Sequence, residues 1–280
     1  MILVFGATGT VGRHLVAQLV DAGQPVRAVT RNPRTADLPP SVDVRFGDLD
    51  RPQTLEPALA DGPDVFLLNA DYPADELVAA LAAGGVRRVV FQSALVAATR
   101  PSTALAQAHL RTEKALQASD LSWTILRPGA FASNTLQWLP MIAGGTIYAP
   151  FADVATPTID PYDIAAVAAR VLTDTEPHRH EAMIYPLTGP VISPRQRAAV
   201  VAQVLDREIG FVALSPEQAR QQLIENAPAA MVDSLLELLG EPSEVEREEL
   251  PTVEHLLGRP PRDFTTWAAT NRDALTGGRR

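Results

Sequence analysis

Apolar positions set two rhythms along this chain. Met1 to Phe5 is a continuous apolar run, the pattern of a strand buried on both faces. It breaks into Gly6-Ala7-Thr8-Gly9-Thr10-Val11-Gly12, after which Leu15, Val16, Leu19 and Val20 recur at helical spacing. A second apolar run, Val26 to Val29, ends on Thr30-Arg31-Asn32-Pro33-Arg34. The alternation continues with strands over Val42–Phe46, Asp64–Leu68, Arg88–Phe91 and Ser122–Leu126. Helices are expected over Pro73–Ala83, stopped by Gly84-Gly85, and over Ser102–Ser119. Six strands alternating with helices predict an α/β fold built on a doubly wound parallel sheet.

Beyond about residue 130 the pattern loosens. Helices are expected over Ala132–Ile142, Pro161–Leu172 and Ser193–Leu205. Short strands are expected near Ile147-Tyr148, over Met183–Pro186 and over Phe211–Leu214. Ser215, Pro216 and Gln218 spell a capping box. Further helices are expected over Ala229–Leu239 and Phe264–Asp273. This organisation reads as a core over residues 1–130 and a smaller α/β substrate-covering lobe over 131–280, with some segments returning to the core.

Composition narrows the class. Hydrophobic residues make up 46% and charged residues 20%, as in ordinary globular proteins. The absence of cysteine excludes disulfides, thiolate catalysis and cysteine metal sites. A net charge of −9 argues against nucleic acid as a partner. No apolar run approaches the roughly 18 residues of a membrane span, and the chain opens directly on a core strand without room for a signal peptide. A cytoplasmic protein with no membrane partner is expected, as a monomer or homodimer. No His/Asp/Glu set has metal-ligand spacing, and no G-x-S-x-G elbow suggests a hydrolase. His178 and His180 flank Arg179 in what reads as an exposed loop.

The glycine stretch carries the chemistry. Gly6 allows a tight turn off the strand, Gly9 a close approach to a pyrophosphate, and Gly12 close packing of helix on sheet. A helix N-terminus then offers N–H groups to phosphate. The second strand ends on Thr30-Arg31, with no acid to hold a ribose 2′-hydroxyl. A planar guanidinium suits a 2′-phosphate, so Arg31 favours NADP(H) over NAD. Asp48, at the third strand's edge, is placed either for the adenine amino group or as a cap for the segment starting near Pro52. Asp50 is the better cap by position. Ser93 follows the fifth strand and is either a turn residue or a hydroxyl facing the nicotinamide.

Several motifs agree with one family. They are Gly6-Ala7-Thr8-Gly9-Thr10-Val11-Gly12, Gly47-Asp48-Leu49, His109-Leu110-Arg111-Thr112-Glu113, Trp123 to Phe131 with Asn134, and Ile159 to Ala165. Pro186 to Pro190 and Gly258 to Pro261 fit as well. The chain resembles the NmrA-like atypical short-chain dehydrogenase/reductases, a branch that includes quinone and triphenylmethane-dye reductases and redox-sensing regulators. The resemblance covers nearly the whole chain. It implies a Rossmann domain carrying NADP(H) and a small lobe above the nicotinamide. It places Gly6, Thr8, Gly9, Thr10, Val11 and Gly12 around the pyrophosphate, Arg31 at the 2′-phosphate and Asp48-Leu49 at the adenine. Asn69-Ala70, Ser93 and His109 fall on the ribose and nicotinamide side, with Pro128 and Phe131 near the nicotinamide. Phe131, Trp138, Met141 and Tyr148 are candidates for the substrate cleft, although aromatics at such spacing also build cores.

One departure decides the chemistry. Ordinary short-chain dehydrogenases use Tyr-x-x-x-Lys on the helix after the fifth strand. Counting back from Glu113, this chain has Leu105 at the tyrosine position and His109 at the lysine position. Leucine cannot donate a proton. Lys114 lies about 140° round the helix from His109 and does not substitute. The leading expectation is an NADPH-dependent reductase passing hydride to a quinone, enone or iminium. His109 is either the proton donor or, with no catalytic role, a ribose hydrogen-bonder or a polar helix residue. The alternatives are a non-catalytic NADP-binding redox sensor and an epimerase or dehydratase on the same fold.

Overall fold

The computed structural model describes residues 1–68 and 72–278. A seven-stranded parallel sheet forms its centre. The strands are β1 (Ile2–Phe5), β2 (Val26–Thr30), β3 (Asp43–Phe46), β4 (Asp64–Leu68), β5 (Arg88–Gln92), β6 (Ser122–Pro128) and β7 (Met183–Leu187), in the order β7-β6-β5-β4-β1-β2-β3. The order reverses between β1 and β4, and the crevice outside the strand ends at such a switch point is where open α/β sheets bind ligands. The α/β fold expected from the apolar rhythm is observed, with one strand more than the six expected. Met183–Leu187 pairs in parallel with β6 and extends the central sheet.

Helices cover both faces. The main ones are α1 (Gly12–Asp21), α2 (Ala74–Ala83), α3 (Ala104–Gln117), α4 (Pro161–Thr173) and α5 (Pro194–Leu205). α1 and α4 pack together on one face, where Leu15, Val16 and Leu19 meet Ile164, Ala168 and Val171 over Val4 and Ala28. On the other face Leu77 and Leu81 of α2 and Leu116 of α3 pack over Leu3, Phe5, Leu67 and Phe91. The single helix expected over Ser102–Ser119 is shorter, and a separate turn of helix over Val96–Thr99 precedes it. Pro101 between them lacks the N–H that would continue the first into the second.

A second lobe of α/β elements follows. Strand Thr156–Ile159 pairs with Ala130–Phe131 and Val191–Ile192, and Gly210–Leu214 pairs in parallel with Thr146–Pro150. Its core joins Ile142, Ile147, Val201, Leu205, Phe264 and Trp267. The expected capping box of Ser215 and Gln218 is present, and Ser193 with Gln196 and Ser243 with Glu246 make two more. Two short helices, Glu244–Arg247 and Thr252–Leu257, were not legible because each is under two turns long.

The loop expected around His178 and His180 divides. His178 is exposed, but His180 is buried, contrary to expectation. A 3₁₀ turn over Pro177–His180 curls inward, where His180 Nδ1 lies 2.9 Å from Tyr185 Oη and Nε2 lies 3.1 Å from Asp174 Oδ2. Asp50 does not cap the following segment. The 3₁₀ helix Pro52–Leu55 has Arg51 at its N-cap and no side-chain cap.

Candidate active site

The glycine turn comes from β1 running into α1. Gly6 has φ of 65°, a conformation that favours glycine. A Cβ on Gly12 would lie 2.1 Å from the Gly6 carbonyl oxygen, so only glycine lets the helix start this close to the strand. α1 has Val11 at its N-cap, where serine, threonine or an acid usually stands, and no side chain caps it. No acid lies in its first turn. Arg13 N donates to Gly9 O at 3.2 Å, and the helix dipole favours an anion at this end.

Beside the turn lies a groove of about 380 Å³ bounded by Gly6, Thr8, Arg31, Asp48, Leu49 and Leu68. A second groove shares Thr8 and Thr30 with it and adds Arg13, Asn32 and Thr35. Arg13 donates from Nε to Gly9 O at 3.1 Å and from Nη2 to Thr8 O at 3.0 Å. Its guanidinium is thus tied to the glycine turn, on the same side as Arg31. Sequence reasoning missed Arg13, because its approach to the second strand's tip depends on how α1 sits. Asp48 accepts from Asp50 N at 3.2 Å and from the Arg51 guanidinium at 3.0 and 3.1 Å. The Arg51 hydrogen bonds, helped by Arg31, hold the Asp48 carboxyl below its ordinary pKa.

At the end of β5, Ser93 is buried and donates from Oγ to Glu113 Oε1 of α3. Arg127, near the end of β6, holds both oxygens of the same carboxylate, with Nε 3.0 Å from Oε1. Ser93, Glu113 and Arg127 therefore tie β5, α3 and β6 together at the ligand edge. His109 lies one turn before Glu113 on α3 and is half-buried. Its Nδ1 is enclosed with no hydrogen-bond partner among the described residues. Burial pushes the imidazole below its ordinary pKa, while Glu113 pulls weakly the other way. Leu105 is one further turn back, on the same face.

Pro128 is buried at the end of β6, where its carbonyl accepts from Leu95 N at 2.9 Å. Phe131 packs against the core on the α1 side of the sheet, whereas Trp138 and Met141 pack against the second-lobe core. Tyr148 is exposed on the two-stranded ribbon, its N–H 3.3 Å from Met141 Sδ. The structure does not bring these four together as one wall. Asn69 and Ala70 lie outside the described residues.

An uncapped helix N-terminus, a glycine turn that a Cβ would block, two adjoining grooves with one arginine each and an unpartnered imidazole nitrogen all fit a bound dinucleotide. The model of a family described as NAD(P)H-binding matches residues 6–175. The chain belongs to this family. It is 37% identical to a (4-alkanoyl-5-oxo-2,5-dihydrofuran-3-yl)methyl phosphate reductase of Streptomyces griseus, with 98% of this chain and 99% of the relative covered. It is 32% identical to an NAD(P)H azoreductase of Xenophilus azovorans, over 98% of this chain and 99% of that one. Among solved structures, an NADPH-dependent quinone oxidoreductase of Escherichia coli superposes with a TM-score of 0.80 at 26% identity, over 96% of this chain and 99% of that one. NAD(P)H binding and membership of the oxidoreductases, both expected from the sequence, therefore stand.

Proposed function

We propose that this protein is an NADPH-dependent reductase that passes hydride to a small conjugated acceptor without an amino-acid side chain acting as the acid. One observation carries the reading: among the described residues, the ligand edge holds no free proton donor of the usual kind. Leu105 stands at the tyrosine position, and the nearby Ser93 hydroxyl has its proton committed to Glu113. His109, kept below its ordinary pKa by burial, is biased toward its neutral form. An isolated ketone would need such an acid, because its alkoxide is unstable at neutral pH. An enone, quinone or azo group spreads the incoming electron pair over several atoms and takes its proton from water. The relatives' names agree: a dihydrofuranone bearing an alkanoyl group, an azo compound and a quinone are all conjugated.

The bound cofactor supplies the hydride. The chain's own residues bind and orient. The α1 N-terminus with Gly9 and Thr10 takes the pyrophosphate, Arg31 and Arg13 the 2′-phosphate, and Asp48-Leu49 the adenine. His109 Nδ1 takes the ribose, and Pro128 with Phe131 backs the nicotinamide. Ser93, its hydroxyl fixed on Glu113, would lie on the nicotinamide side. This is binding and positioning catalysis, worth up to several kcal/mol when the geometry is held.

The test is NADPH oxidation with matched acceptors: a butenolide enone, a naphthoquinone and an azo dye, against an unconjugated ketone. Turnover is expected on the conjugated set only. Tight NADP binding with no turnover on any acceptor would replace this reading with a cofactor sensor. Arg31→Ala is expected to raise the KM for NADPH about 10- to 100-fold, the worth of a hydrogen bond to a charged group. The KM for NADH should barely move; equal effects on both would remove Arg31 from the 2′-phosphate.

A further inference from the structure

Arginines drawn into this fold meet carboxylates. Arg27 pairs with Asp43 and Asp61, Arg88 with Asp64, Arg100 with Glu246, and Arg127 with Glu113. Arg197 does not follow the pattern. It sits on α5 one turn after Ser193 and one before Val201, on the stripe that also carries Leu205 and faces the second-lobe core. Its Nε is enclosed without a hydrogen-bond partner, and no carboxylate pairs with it among the described residues. The guanidinium lies over the Trp138 ring, 5.1 Å from its centre. Burial alone pushes its pKa down to about 10, with no charged neighbour raising it, so the group is still a cation at neutral pH.

A guanidinium whose Nε is enclosed without a partner or counter-ion carries a desolvation cost, and a cation–π contact recovers only part of it. Trp138 ends the 3₁₀ helix Ala132–Trp138, which follows the short strand Ala130–Phe131 that leads from the end of β6 into the second lobe. In a 3₁₀ helix residues three apart share a face. Ala132, Thr135 and Trp138 therefore look the same way. Thr135 is fully buried and its hydroxyl also lacks a partner. Two orphaned polar groups thus meet this one helix, which leads away from the nicotinamide side. Arg197 as a whole is only half-buried, which leaves a small group an approach to it.

We propose that Arg197, braced on Trp138, recognises an anionic substituent (carboxylate, sulfonate or phosphate) carried by the reductase's conjugated substrate. The proposal rests on the reductase reading for the word substrate. The anion site itself does not, and it is tested by binding alone. A planar guanidinium offers paired donors to such an oxyanion, and the stacked indole fixes its plane. The site is kept at a cost in stability because the ligand supplies the missing charge.

The test uses the full chain loaded with NADP. Calorimetry compares naphthalene-2-sulfonate, neutral 2-naphthalenemethanol and inorganic phosphate. The sulfonate is expected to bind about 10- to 100-fold more tightly than the neutral probe. Phosphate alone should bind weakly, because the ring supplies the rest of the contact; phosphate binding as tightly as the sulfonate would make this a free-anion site and overturn the substituent assignment. Arg197→Met, which keeps the apolar stem, is expected to bring the sulfonate-to-neutral ratio to about one and to leave Tm unchanged or raised. A lowered Tm with no change in that ratio would make Arg197 a packing residue and overturn the proposal. So would equal binding of the two naphthalenes by the wild type. Arg197→Lys should recover part of the ratio, since it restores charge without the planar fork. Kinetics separates the two readings. With a naphthoquinone sulfonate as acceptor, KM should rise about tenfold or more in Arg197→Met while kcat holds, and both parameters should stay unchanged with the unsulfonated parent quinone. Sulfonate binding without turnover would defeat only the reductase reading, and turnover without anion preference only this one.

Discussion

Glu113 is the residue most of the site leans on. Its carboxylate is buried, receives the Ser93 hydroxyl and is held by Arg127. Removing its charge strands Arg127, and breaking a buried pair from one side costs about 3–5 kcal/mol. Glu113→Gln is expected to lose stability on that scale in urea titrations, with NADPH affinity falling as Ser93 loses its anchor. His109 makes a pH prediction. Burial lowers its folded-state pKa, so below the unfolded value of about 6.5 the unfolded chain binds the proton more readily. Stability attributable to His109 is present above that pH and lost as pH falls through the folded value. His109→Gln should flatten the acid side of the stability profile between pH 7 and pH 5; an unchanged slope would show that His109 is as solvated folded as unfolded.

At the scale of elements, the helices divide by how they begin. The helices that start after Ser193, Ser215 and Ser243 carry reciprocal capping boxes, whereas α1, like α2 and α3, has no side-chain cap. A side-chain cap would occupy N–H groups at a helix end that can otherwise bind an anion. Ser215→Ala is expected to cost about 1 kcal/mol in denaturant midpoint measurements and to leave cofactor affinity unchanged. The box at Ser215 was read directly, since a cap and its partner sit three residues apart. The short helices near residues 244–257 could not, because elements of one or two turns hold together by packing rather than by pattern. β7 was visible as a strand, but its neighbour was not: nothing local to Met183–Leu187 says that it lies beside β6.

Across the whole molecule, one arginine joins the lobes. Arg100, just before α3, donates to both Glu246 oxygens, to Glu237 at 2.9 Å and to the Glu241 carbonyl at 2.6 Å. The helices Ala229–Gly240 and Glu244–Arg247 are thereby fastened to the segment that follows the ligand edge of β5. Burial alone would raise the Glu246 pKa, yet the Arg100, Thr99 and Ser243 hydrogen bonds bring it below its ordinary value. Its stabilising effect is present above the ordinary glutamate range and lost as pH falls through the folded value. Arg100→Met should speed amide exchange across residues 229–247 while α1 and β1 keep their protection. Uniform exchange in both regions would show that the clamp does not hold this part independently.

The sequence by itself determined the parallel sheet, the glycine turn and the cofactor class, because each depends on local periodicity or on a short run of residues. The apolar rhythm of Met1 to Val29 settles which way strand and helix face, and glycine at position 12 reflects a contact made only six residues away with Gly6 O. It also shows leucine at position 105, where the resemblance would place the acid tyrosine. Tertiary structure alone decided what surrounds each polar group. It closed Ser93 onto Glu113 and Arg127, buried His180 that the pattern left outside, brought Arg13 beside the second strand's tip and left Arg197 on Trp138 without a counter-ion. Burial and charge pairing join residues far apart in the chain, and no local spacing encodes them.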